Sequence, residues 1–171
     1  LEERQSIIDL LDKILKQIKV AADLIGGVAL QYYGYKRYTE DIDLLIDRSN
    51  YDVLANAIIN TGGFSLGKNN RFELNNYQIQ ICYDGLKVGD TIFPKPSSSS
   101  HGLNVISLKI LLKMKMEAGM NRAKDRADFI ELIKRGKISK EYIETELFPI
   151  LSKMQQRTAL VLWNKASKEP P

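Results

Sequence analysis

Ile7, Leu11, Ile14 and Ile18 recur at three- and four-residue intervals, so residues 3–19 are predicted to form an amphipathic helix. Asp23-Leu24-Ile25 reads as a short strand ending at Gly26-Gly27. Residues 28–34 (VALQYYG) read as a short helix closed by Gly34. The run DIDLLID, Asp41 to Asp47, is the next strand. A second amphipathic helix is predicted over residues 50–61, with Val53, Leu54, Ala57 and Ile58 apolar, and it ends at Gly62-Gly63. The period then changes. Phe64–Leu66, Phe72–Leu74 and Tyr77–Tyr83 read as strands, with Asn69-Asn70 and Asn75-Asn76 as turns. In the last of these, Tyr77, Ile79, Ile81 and Tyr83 face one way, and Gln78, Gln80 and Cys82 the other.

PKPSSSSHG, residues 94–102, reads as an exposed, mobile loop. After Ile106 the pattern is helical throughout. Ser107 can cap a helix that runs to Gly119, and a second covers about residues 122–135 and stops at Gly136. Ser139 can cap a third, and Pro149 is predicted to open a fourth that ends near Lys165. The expectation is an α/β (α+β) core over residues 1–106, a short mixed sheet flanked by helices. A helical bundle over residues 107–171 would pack on it.

Residues two apart in a strand share a face, so Asp41 and Asp43 project side by side. Two neighbouring carboxylates repel, and a bound divalent cation relieves that. Hard oxygen donors of this kind suit Mg²⁺ (or Mn²⁺), which takes one or two carboxylates together with substrate phosphates. The plainer reading is a pair of strand-end aspartates that cap turns or pair with Lys36 or Arg37. Upstream, Gly26-Gly27 joins a strand to a helix start, where a glycine backbone can approach a phosphate. Lys115 follows Leu108, Leu111 and Leu112 on one helical stripe, where a leucine is expected. Asp125 likewise extends the stripe of Phe129, Leu132 and Ile133. The two would form an ion pair tying two helices, or Lys115 would reach a nucleotide phosphate with Asp125 orienting it.

Composition narrows the field. The single cysteine, Cys82, excludes a disulfide framework and cysteine-cluster metal sites. The single histidine, His101, excludes most histidine-driven hydrolysis within one chain. No run of eighteen apolar residues is present, so no membrane span is expected. No signal sequence is visible, and the expected location is the cytoplasm. The net charge is +4, but residues 107–140 carry ten Lys or Arg against four Asp or Glu. Such a patch faces either solvent or a nucleic acid.

Gly26-Gly27, a spacer, then Asp41-Ile42-Asp43-Leu44 resembles the signature of the polymerase-beta-type nucleotidyltransferase superfamily. The fuller run GGVALQYYGYKRYTEDIDLLI is similar to the small branch that includes minimal nucleotidyltransferases and AbiEii-like toxins. Gly34, Arg37 and Thr39 match the glycine, arginine and threonine often found between its two motifs. VISLKILLKMKMEAGMNRAKDRADFIEL, residues 105–132, resembles the branch's helical motif at Lys115, Arg122 or Lys124, Asp125 and Asp128.

The resemblance implies a nucleotidyltransferase fold and Mg²⁺-dependent transfer of a nucleoside monophosphate from an NTP. The metal ligands would be Asp41 and Asp43, which with Lys115 form the catalytic set. Nucleotide would be held by Gly26, Gly27, Arg37, Thr39, Lys115 and Asp125. A nucleic-acid acceptor such as tRNA, and a cognate antitoxin or a second copy of the chain, are the partners it suggests.

The pattern departs at the third carboxylate. By its surroundings the matching position holds Gln80, which brings no charge and is a poor base. Either Gln80 marks a degenerate member acting as a nucleotide-, nucleic-acid- or protein-binding module, or Glu73 on the neighbouring strand supplies the acid. Asp47 is a further candidate, and neither Glu73 nor Asp47 has a sequence argument behind it.

Overall fold

The computed structural model describes residues 2–36, 38–67, 70–89, 91–119 and 122–168. Helix α1 (Glu2–Gln17) leads into β1 (Ala21–Ile25), then α2 (Gly26–Tyr32), β2 (Asp41–Ile46) and α3 (Tyr51–Asn60). Strands β3 (Phe64–Ser65), β4 (Arg71–Leu74) and β5 (Tyr77–Tyr83) follow, then the two-residue strands β6 (Lys87–Val88) and β7 (Thr91–Ile92). Strand β8 (Gly102–Val105) precedes α4 (Leu108–Gly119) and α5 (Ala123–Lys134). The short helix α6 (Lys140–Tyr142) runs on through irregular helical turns to Ile150, and α7 (Lys153–Ala166) closes the described chain.

The chain divides into two units. The first comprises Leu1–Leu30, Arg37–Lys87 and Ile92–Ile106; the second comprises Gln31–Lys36, Val88–Thr91 and Ser107–Pro171.

The first unit is built on a six-stranded mixed sheet in the order β3-β4-β5-β2-β1-β8. Strand β2 is central, antiparallel to β1 and parallel to β5. The alternation along β2 and β5 sorts the two faces. Ile42, Leu44 and Ile46 join Ile79, Ile81, Ala22, Leu24, Phe72 and Leu74 in one apolar core. Ile7, Leu11, Ile14 and Leu15 of α1 and Leu54 and Ile58 of α3 complete that core. Burying such side chains contributes roughly 1.5–3 kcal/mol each, so the two helices hold the sheet from one side. The other face carries Asp41, Asp43 and Gln80 beside the buried Ile25, Leu45 and Cys82.

Strand β8 lies where the sequence patterning predicts the end of a loop. Gly102 to Val105 pairs parallel to β1, with Asn104 opposite Asp23. The Leu103 N–H donates to Asp12 Oδ1 of α1 at 2.9 Å, which ties strand to helix. The preceding serine segment is exposed in part but anchored, because the Ser97 N–H and Oγ donate to Asp23 Oδ2 at 2.5 and 2.9 Å.

The second unit is helical. Leu111, Leu112, Phe129, Leu132, Ile133, Ile143, Leu147, Ala159 and Leu162 are buried. Ser139 caps α6 by accepting from the Tyr142 N–H. Pro149 does not open the last long helix as predicted; it sits in a 3₁₀ turn, Phe148–Ile150. Helix α7 begins at Lys153 behind Ser152, whose capping box with Gln155 satisfies both orphan N–H groups. Among the described residues, no helix is long and apolar enough to cross a membrane.

Candidate active site

The polar face of the sheet is organised in two rows. One runs Asp43, Gln80, Arg71 across β2, β5 and β4; the next runs Asp41, Gln78, Glu73. Register partners in a ladder share a face, so all six side chains rise from one side. Asp41 and Asp43 are half-buried, whereas Ile42 and Leu44 between and beyond them are fully buried on the opposite side.

The diglycine bend closes this end of the sheet. Ile25, the last residue of β1, pairs with Asp43, so the next residue, Gly26, turns directly beside it. Gly26 has φ +64°, and a Cβ there would meet Asp43 Oδ2 head-on and stand 3.0 Å from Asp43 Cγ. Only glycine supplies both that backbone conformation and that clearance. Gly27 is buried in the first turn of α2. Thr39 Oγ1 lies 3.4 Å from the Asp41 carbonyl at the head of β2. Arg37 lies outside the described residues.

The structure brings Gln80 beside Asp43. Glu73 shares the face but stands two strands from Asp41, roughly 10 Å at about 4.8 Å per strand. Among the described residues, no three His, Cys, Asp or Glu side chains come together as a metal set. The other nearby acids are employed elsewhere. Asp47 accepts from the Ser49 N–H and Oγ at 2.9 and 2.6 Å, and those bonds hold its carboxyl below the usual range. Asp84 accepts from the Arg48 N–H at 2.7 Å.

Arg71 went unnoticed in the sequence. Its Nη2 lies 3.5 Å from Asp41 Oδ2, so a guanidinium reaches over β5 onto the metal-ligand candidate. Its Nε is buried without a hydrogen-bond partner. Cys82, one row beyond Gln80, is buried, and burial above all pushes its thiol up to about 12. The Asp43 charge adds to that rise and Arg71 opposes it, so both charges are felt at one point on the face.

The donor chemistry fits Mg²⁺ in part. Two half-buried carboxylates and an amide oxygen on one face are hard oxygen ligands of the kind Mg²⁺ takes. Arg71 already lies on Asp41, and among the described residues no third carboxylate gathers with Asp41 and Asp43.

Lys115, Asp125 and Asp128 form a cluster of their own in the second unit. Lys115 Nζ donates to Asp125 Oδ1 at 3.0 Å and to Asp128 Oδ2 at 2.6 Å. All three are buried, with Lys115 only 9% exposed. Arg122 Nε comes within 3.3 Å of Asp125 Oδ2 without forming a hydrogen bond. Two buried carboxylates and one lysine explain why a charge stands on an apolar helical stripe: the stripe meets a partner stripe charged in the opposite sense.

The basic excess of residues 107–140 is largely engaged at close range. Lys109 pairs with Glu146, Lys113 with Glu117, Arg135 with Glu131 and Lys140 with Glu144. Arg135 also covers the Tyr35 ring, 5.4 Å from its centroid.

No family model matches the chain, and no curated protein matches it. Solved structures do. The solution structure of the antibiotic-resistance factor ANT(2'')-Ia aligns with a TM-score of 0.50 and 11% identity, over 95% of this chain and 94% of that one. A crystal structure of ANT(2'')-Ia with adenylyl-2''-tobramycin aligns with a TM-score of 0.46 and 14% identity, over 95% and 97%. A protein from H. pylori assigned as a nucleotidyltransferase aligns with a TM-score of 0.43 and 18% identity, over 98% and 95%. The expected fold is therefore the observed one: a mixed α/β, nucleotidyltransferase-like core sheet with C-terminal helices.

Proposed function

We propose that this chain binds a nucleoside triphosphate at the Gly26–Gly27 bend and the Asp41–Asp43 pair. It would transfer the nucleoside monophosphate to an acceptor hydroxyl, phosphate or nucleic-acid end such as tRNA, with release of pyrophosphate. The observation that carries the reading is the packing of the Asp43 carboxylate against Gly26. It joins the glycine bend and the paired carboxylates into one locus, which each motif alone leaves open.

In this reading the backbone amides at the bend hold the triphosphate chain, and Arg37 and Thr39 would contribute to holding the nucleotide. Asp41 and Asp43 would hold Mg²⁺ (or Mn²⁺), which when bound neutralises phosphate charge and polarises the α-phosphate. The protein's own contribution is positioning, as is general for transfer at phosphorus. Gln80 offers an amide oxygen toward the site but takes no proton. The acceptor's proton would pass to Asp43 or to water. Lys115 and Asp125 serve the nucleotide only if they can leave their mutual pairing, and their geometry favours the structural role.

The test is transfer of label from α-labelled NTP with Mg²⁺ to an acceptor panel that includes tRNA and the protein itself. Asp41→Ala with Asp43→Ala should abolish it. Failure of the intact protein to bind any NTP in the presence of Mg²⁺ would end the reading.

A second reading is favoured by Gln80 beside Asp43 and Arg71 on Asp41. The site would bind nucleotide without turnover, as the sensing or interaction half of a larger assembly in the cytoplasm. The resemblance to the AbiEii-like branch would make a cognate antitoxin or a second copy the natural partner. Calorimetry showing NTP bound but never consumed would select it.

A further inference from the structure

We propose that Arg71 is a built-in cation of this site: its guanidinium receives a phosphate oxygen of the bound nucleotide. The inference rests on the nucleotide-binding reading above and names the residue that would make that binding independent of metal. Arg71 opens β4, pairs with Gln80 across the ladder and shares the face of Asp41 and Asp43. Its ion pair with Asp41 is long, 3.5 Å, beyond the 2.7–3.2 Å range of a well-formed N–H···O bond. Its Nε is buried with no acceptor. An arginine normally presents its fork to a carboxylate or phosphate as a pair of parallel bonds. Here Asp41 holds the fork onto the face through one long contact, and the side chain is 39% exposed, so the outer edge of the guanidinium is open to an incoming anion.

The charges point the same way. Asp41, Asp43 and Glu73 share the face with Arg71, and the guanidinium is set against Asp41. Gln80 is neutral, and Arg71 beside it in the ladder places a fixed positive charge on that row.

The experiment is calorimetric titration of ATP into the intact protein with Mg²⁺ and, separately, with EDTA. A parallel titration uses Mn²⁺ alone. The wild type should bind ATP in EDTA within about tenfold of its affinity in Mg²⁺. Arg71→Met should weaken the EDTA binding at least tenfold, and should tighten Mn²⁺ binding because Asp41 is released. A merely structural arginine would not move these two affinities in opposite directions. Arg71→Lys, which keeps the charge without the fork, should retain part of the EDTA binding and guards against a misfolded methionine variant. ATP binding seen only with Mg²⁺ would overturn the role of Arg71 while leaving the nucleotide site standing. Unchanged EDTA binding in Arg71→Met would do the same. No ATP binding under either condition would remove both.

Discussion

Gly26 and Asp43 occupy space that a single methyl group would close. The glycine turns out of β1 with φ +64°, and the carboxylate from β2 lies where its Cβ would be. Gly26→Ala must therefore strain the backbone and push Asp43 away. The left-handed conformation costs a non-glycine residue about 1–2 kcal/mol, and displacement of the carboxylate adds to it. The expected outcome is a folded protein with a melting temperature several degrees lower. Its Mg²⁺-dependent ATP affinity should fall at least tenfold. Unchanged ATP affinity in a folded Gly26→Ala variant would separate the bend from the binding site.

Much of this arrangement is legible in the sequence because β-strand alternation is a local rule. Asp41 and Asp43 against Ile42 and Leu44, and Gln78 and Gln80 against Ile79 and Ile81, mark the two faces before any pairing is known. Arg71 is not legible in the same way. It opens a four-residue strand after a turn, and only the β4–β5 register places it beside Gln80 and within reach of Asp41. Strand β8 was hidden for a similar reason. Its four residues have no strong alternation and follow a serine run; non-local pairing with β1 and the Asp12 bond make them a strand. Pro149 reads as a helix start, but the chain spends it on a 3₁₀ turn, and the helix begins behind Ser152.

The Lys115 cluster predicts a stability effect of its own. Removing the lysine takes away the ammonium that both Asp125 and Asp128 accept from and leaves the two carboxylates buried, with Arg122 poorly aligned on Asp125. Breaking a buried ionic group by deleting one partner costs about 3–5 kcal/mol. Lys115→Met should lose that much in urea denaturation, and adding Asp128→Asn should recover a substantial part by removing the orphaned charge. If Lys115→Met unfolds at the wild-type urea midpoint, the cluster does not hold α4 to α5.

Cys82 should be chemically silent in the native protein. Burial first, and the Asp43 charge second, push its thiol up to about 12. At pH 8 the thiolate would then be roughly one part in ten thousand, against about a quarter for an exposed cysteine. Iodoacetamide at pH 8 should alkylate the folded protein at least a hundredfold more slowly than the protein in urea. Rapid native labelling would show that the polar face opens to solvent around Gln80 and Cys82.

Asp12 gives the first unit a specific acid sensitivity. The Leu103 N–H is the largest influence holding its carboxyl below the usual range, and Lys16 Nζ at 2.7 Å acts in the same direction. Because the folded carboxyl is the stronger acid, the unfolded chain takes up its proton first as pH falls. The stabilisation is therefore complete above the unfolded value near 4 and disappears as pH drops through the lower folded value. Asp12→Asn removes the charge at every pH and should cost about 1 kcal/mol near neutrality, the usual worth of one such bond. The gap between wild type and variant should stay constant from pH 7 to pH 5. It should narrow below pH 4 as the wild type loses the same interaction. Urea unfolding across that range measures it directly, and a gap that stays unchanged below pH 4 would mean the Leu103 bond does not depend on the ionised carboxylate.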